Sequence, residues 1–326
     1  MLQTLPLVLF IVLIEVSVGA VSVLVFLDWR NEVKRGFLIS YALIYLVLSG
    51  LTYWFQQSFS TPQLLNTYAQ LDKSWTGLLS LPLLLFFLLL IPYSFLLLLD
   101  KKAGVQKKKG DEDEAEKTSV HVRPSTLRVL RLLSGVITVI VGLITVFVVA
   151  MIYRPLGGAN LGGVFTIASF FAATFALGGV LTSMWLGHWY LVTPALSEKP
   201  LQFSTSLVLL AVLAQIIFFV AAGPTAIAAN HVQSQTPPVT VQATATATSS
   251  AQVKPSNVPT VTPLSANVIG WIRVLVGFIM PLVLGGLAWI LIRDRSFQSA
   301  TGMLYLVVVC ALAGEIMSRG LFLGGL

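Results

Sequence analysis

An acid in the middle of an apolar stretch is the first feature able to do chemistry. Glu15 lies near the centre of the run from residue 5 to 27, roughly 15 Å in at ~1.5 Å of rise per residue. Ionisable side chains are costly in hydrocarbon, and where they occur they mark functional positions. Gly19 and Ser22 fall on the face of Glu15 at i+4 and i+7, small enough for a second helix to come close. A protonatable carboxyl at that depth suits proton transfer or a hydrogen bond to a quinone carbonyl. The plainer alternative is a structural hydrogen bond between helices. Near the chain end Glu315 and Arg319 are four apart on one face. Arg273, in the preceding span, can join them if the two helices pack antiparallel. These three read either as an ion-pair lock or as a polar pocket for a headgroup or quinol. His188 sits in Gly187-His188-Trp189-Tyr190. It can ligate haem or protonate a quinone, but Trp and Tyr beside it read as interface anchors, where a histidine is simply solvated. Gln215, in mid-span, suits a hydrogen bond across helices. The candidates for proton or quinol chemistry are therefore Glu15, Glu315 and His188, with Arg273, Arg319 and Gln215 as binding residues.

Other chemistries find no support. His121 and His231 lie in connections on opposite sides, which leaves His188 as the one intramembrane histidine. A haem held by two imidazoles within this chain is not expected, and neither is a covalently bound cofactor. The single cysteine, Cys310, forms no disulfide or thiolate ligand set within the chain and reads as a small apolar residue. No phosphate loop, nucleophile elbow or zinc motif is present. The net charge of +7 would suit nucleic acid only as a patch. Here the basic residues sit at span ends and in short loops, so nucleic acid is not expected as a partner.

The elements that carry these residues are membrane spans. Hydrophobic residues make up 56% of the 326 and charged residues only 10%, against about 25% charged in soluble domains. The apolar blocks are long enough to cross a bilayer, which takes ~20 residues per helix. They lack the period-two alternation of an outer-membrane barrel. Eight spans are expected, near 5–27, 37–56, 76–99, 128–152, 161–189, 203–223, 268–292 and 300–319. The first lacks the basic leader of a signal peptide, is interrupted by Glu15 and continues through Leu27, so it reads as a retained helix. The expected fold is all-α, a polytopic helical bundle in the lipid bilayer.

Charge orients it. With the N-terminus outside, only Lys73, Arg154, Lys254, Arg273 and Arg319 face out, and the other fifteen of the twenty basic residues face in. Basic residues favour the cytoplasmic side, so both termini are expected outside. For a bacterial chain that means the plasma membrane with extracytoplasmic ends. Residues 1–224 form a six-helix region with a charged cytoplasmic loop at 101–124. Residues 225–267 form an external flexible loop rich in Thr, Pro and Ala. Residues 268–326 add two helices. Glycines in the first and fifth spans hint at a four-plus-four repeat, and Pro281 is expected to kink the seventh span.

The segment Gly314-Glu315-Ile316-Met317-Ser318-Arg319-Gly320-Leu321-Phe322 resembles the closing Gly-Glu-x-x-x-Arg-x-Leu-Phe of the membrane-anchor subunit of dimethyl-sulfoxide-reductase-type molybdoenzymes. The resemblance implies eight helices, outside termini and no haem. It also implies menaquinol oxidation, with electrons passed to a docked iron–sulfur subunit and on to a catalytic redox subunit. Only Glu315 and Arg319 carry over. The family's quinol site uses a histidine and an acid on interior helices toward the outer side; here the third span has no acid and His188 lies toward the inner side. The expected role is thus a haem-free, quinol-interacting anchor of a respiratory complex. A proton-coupled small-solute transporter using Glu15 and a hinge at Pro281 is the alternative, and a structural or assembly protein is the third.

Overall fold

The computed structural model describes residues 4–101, 103–104, 126–157, 163–193, 197–222, 266–324 and 326. The 225–267 loop lies outside these residues except for its last two, which open the seventh helix, and so does nearly all of the 101–124 loop. The described residues hold eight helices long and apolar enough to cross a membrane, and no strand beyond one isolated bridge, Lys34 to Gly104. They are α1 (Leu5–Arg30), α2 (Arg35–Phe59), α3 (Ser80–Leu99), α4 (Thr126–Tyr153), α5 (Val164–Val192), α6 (Lys199–Ala222), α7 and α8 (Phe297–Phe322). The seventh, α7, runs through Ala266–Val274, a π-helical turn Leu275–Ile279, and Met280–Arg293. Helices satisfy their own backbone hydrogen bonds, the condition for crossing hydrocarbon.

Several helices outrun their apolar stretches. The first continues past Leu27 through Asp28-Trp29-Arg30 and closes on Asn31 in the left-handed conformation, φ 53°. Large apolar side chains such as Val47, Leu210, Ile217 and Val309 face outward. The protein is a multi-pass membrane protein, and this belt is its lipid surface.

Packing divides the eight helices into two groups of four. α1 packs on α2, α2 on α3, α3 on α4 and α4 on α1; likewise α5 on α6, α6 on α7, α7 on α8 and α8 on α5. The groups join mainly through α1 against α5, flanked by α1 against α8 and α4 against α5. Exchanging α1 with α5 and α4 with α8 reproduces the same pattern of helix contacts. The long connection thus separates α7 and α8 from the rest along the chain only. In space they complete the second group.

At the centre, α1 and α5 nearly touch. No Cβ fits on Gly19 or Gly178, because each meets the other helix's backbone. This is the close approach anticipated for Gly19. Ser22 instead turns its hydroxyl back onto the Val18 carbonyl at 2.7 Å. α1 is the most enclosed helix, with 83% of its core window buried against 28% for α6 and for α7. Any charged residue on α1 must therefore find a protein partner.

Candidate functional site

Two charged clusters are built around α1. The first lies toward the face where the chain begins and ends. Glu15 on α1 is fully buried, and Arg319 on α8 places Nη2 2.5 Å from its Oε1. Arg319 Nε lies 2.9 Å from Oε1 of Glu315, one turn earlier on α8. Gln215 on α6 donates from Nε2 to Glu315 Oε2 at 3.1 Å. Phe170 on α5 lies under the guanidinium, 3.9 Å from Cζ to the ring centroid. Helical side chains tilt toward the helix N-terminus, so Arg319, near the end of α8, reaches back into the bundle rather than out to the headgroups.

Tight packing holds the cluster in place. Gly314, beside Glu315, meets Gly277 in the π-helical turn of α7, backbone against backbone. Gln215, Glu315, Ser318, Gly277 and Phe278 line a small cleft there, with room for about one water molecule. The Oε2 of Glu15 is buried without a hydrogen-bond partner among the described residues. Arg273 does not join the ion pairs. Its guanidinium stacks over Phe219 at 4.9 Å and Phe278 at 5.4 Å, its Nε is buried without a hydrogen-bond partner, and it stays within electrostatic reach of Glu315 and Arg319. Two carboxyls share one guanidinium, so the trio is one positive charge short when both acids are ionised. Either a proton or the field of Arg273 makes up the difference.

The structure therefore gathers Glu15, Glu315, Arg319 and Gln215, with Arg273 at the edge. His188 stands apart. It is exposed on α5, near the opposite face. Its neighbours explain the motif: Gly187 lies against Thr301 of α8, Trp189 packs on Phe37, and the Tyr190 hydroxyl donates to the Ser197 carbonyl. The expected meeting of Arg273 with Glu315 and Arg319 as an ion-pair trio is replaced by one in which Glu15 takes the third place.

The second cluster escaped the sequence reading. Arg131, near the start of α4, is 1% exposed, with Nη2 2.8 Å from Asp28 Oδ1 and Nη1 2.6 Å from Asp100 Oδ2. Tyr93 on α3 donates to Asp28 Oδ2 at 3.2 Å. It joins α1, α3 and α4 at the basic face. Arg131 counts in the charge tally as a basic residue of the inner side and falls within the expected fourth span, but its charge is buried and paired with two carboxyls. The missed signal was an Asp just beyond an apolar run that the helix does not leave.

Among the described residues, no three His, Cys, Asp or Glu side chains are grouped to hold a metal ion. Compared with known proteins, the chain matches no family model, no curated sequence and no solved structure.

Proposed function

We propose that this protein is a haem-free membrane anchor of a redox complex, accepting protons from quinol at the Glu15–Arg319–Glu315 cluster. One observation carries the reading: a carboxyl oxygen of Glu15 is buried and unpartnered within an acid–guanidinium–acid chain. That oxygen is a proton acceptor inside the bilayer, and burial of this kind is characteristic of proton-handling sites. Quinol oxidation releases two protons and two electrons. Glu15 and Glu315 take up the protons and return them to the face where the chain ends. The electrons leave to an iron–sulfur centre in a partner subunit. The cleft holds little more than water, so quinol entry requires the segment Ala266–Val274 to move. Its Arg273 is held by aromatic stacking rather than by an ion pair, and it ends on a π-helical turn, a common mark of functional sites. In this reading both termini are extracytoplasmic and the membrane is the bacterial plasma membrane.

The test is purification of the full chain from its own membrane. Co-isolation of an iron–sulfur subunit, with quinol oxidation lost in Glu15→Gln while the complex stays assembled, supports the proposal. Isolation without any redox subunit or quinone overturns it.

A second reading rests on the contact pattern that the two groups of four helices share. Parallel repeats about an axis along the membrane normal also build carriers. Proton-coupled solute flux in proteoliposomes, abolished by Glu15→Gln, would favour that reading.

A further inference from the structure

A groove on the flank of the bundle takes no part in either charged cluster. It opens between α4 and α6 with α1 and α5 as its floor, and it has a cavity volume of about 340 Å³. Val23, Phe26 and Trp29 of α1, Val136 and Ile140 of α4, and Phe203 of α6 line it. Ser22 also reaches it, but its hydroxyl is spent on the Val18 carbonyl. The lining offers an occupant only apolar contact.

The groove runs inward from the basic face. Ser22 to Trp29 spans ~10 Å of α1, and Ile140 lies ~21 Å from the start of α4, at ~1.5 Å per residue. The depth matches one leaflet of hydrocarbon, ~15 Å. Spread over ~15 Å, the volume corresponds to a cross-section of ~23 Å². A helix with side chains, ~10–12 Å across, needs ~80 Å² or more. A partner helix does not fit, but an extended alkyl chain does.

The mouth of the groove is cationic. Lys199 is exposed, one turn before Phe203 on the same face of α6. Arg30 follows Trp29, with its Cζ 5.9 Å from the Phe26 ring centroid. Arg128 stands two turns before Val136 on α4. Glu32 pairs with Arg30 at 2.7 Å and Glu198 with Arg295 at 2.9 Å, and Arg128 offsets the second acid of the Asp28–Arg131–Asp100 cluster, which leaves one positive charge, that of Lys199, in excess at the rim. Trp29, 60% exposed, stands at the level where aromatic residues meet headgroups.

We propose that this groove binds an acyl chain of an anionic phospholipid from the leaflet at the basic face, with its phosphate against Lys199. Apolar walls hold the chain, and the charge excess selects the headgroup, since a zwitterionic lipid gains much less from it.

The test is quenching of Trp29 by lipids brominated on the acyl chain. The full chain is reconstituted in vesicles of phosphatidylcholine containing either brominated phosphatidylglycerol or brominated phosphatidylcholine at equal mole fraction. The difference between the native chain and Trp29→Phe isolates the signal of Trp29. The expected result is several-fold stronger quenching by the glycerol lipid. Lys199→Gln brings it down to the choline level, and Val136→Trp, which fills the groove, lowers both. Equal quenching by the two headgroups in the native chain overturns the proposal, as does a preference that survives both variants. Displacement of the glycerol lipid by substoichiometric menaquinone also overturns it, in favour of an isoprenoid tail.

Discussion

Arg319 lies 2.5 Å from Glu15, joining α8 to α1 across 304 residues of chain. This pair closes the bundle, since α1 belongs to the first group of four helices and α8 to the second. Breaking a buried pair from one side leaves an uncompensated charge and costs ~3–5 kcal/mol. Arg319→Gln, which leaves both acids without their cation, is therefore the severe change. Glu15→Gln keeps the shape and leaves Arg319 paired with Glu315, so it is the milder one. The double variant recovers part of the loss, as expected for coupled residues. Thermal unfolding in detergent of the single and double variants reads out the order. Equal effects for the two single variants would contradict it.

Arg131 makes a second prediction. It pairs with both Asp28 and Asp100, so Arg131→Met strands two buried carboxyls. The expected loss is at least ~3–5 kcal/mol, with Asp28→Asn losing less because Arg131 keeps Asp100. Unfolding midpoints measured side by side decide this.

Gly19 and Gly178 make a third. Each lacks room for a Cβ at the α1–α5 crossing, and overpacking of this kind costs ~1–3 kcal/mol or more. Gly19→Val and Gly178→Val are expected to lower the unfolding temperature. Gly286→Val, where nothing lies within 4 Å of an added Cβ, is expected to leave it nearly unchanged. A loss at Gly286 equal to that at Gly19 would show that helix propensity, not the crossing, is responsible.

The orientation is tested directly. In a Cys310→Ser background, Gln63→Cys lies just beyond α2 on the face of the termini, and Asp294→Cys lies between α7 and α8 on the basic face. Both positions are exposed. A membrane-impermeant maleimide added outside intact cells is expected to label the cysteine at 63 and not the one at 294. The reverse pattern would invert the topology.

Hydropathy alone defined the architecture. Eight apolar blocks became eight helices, because a chain in hydrocarbon has no other way to satisfy its backbone over those lengths. The ends were less legible. A helix does not stop where its apolar residues stop, so α1 carried Asp28 beyond the apparent span, within reach of Arg131 on α4. The same uncertainty hid the second cluster.

The site was legible only as a set of residue types. Glu15, Glu315 and Arg319 stood out because ionisable groups in apolar runs are few, and Gly19 because a small residue shared the face of Glu15. Which of them meet was not legible. Periodicity reports which face of a helix a residue occupies but carries no information about the helix opposite. The pairing of α1 with α8 and the stacking of Arg273 on Phe219 and Phe278 follow from how two groups of four helices dock. That docking depends on shape complementarity at Gly19 and Gly178, on opposite helices 159 residues apart. The sequence by itself determined that the protein spans a membrane and which side chains are too costly to be idle there. The tertiary structure decided which of those side chains neutralise one another, because a buried charge is settled by its nearest partner in space.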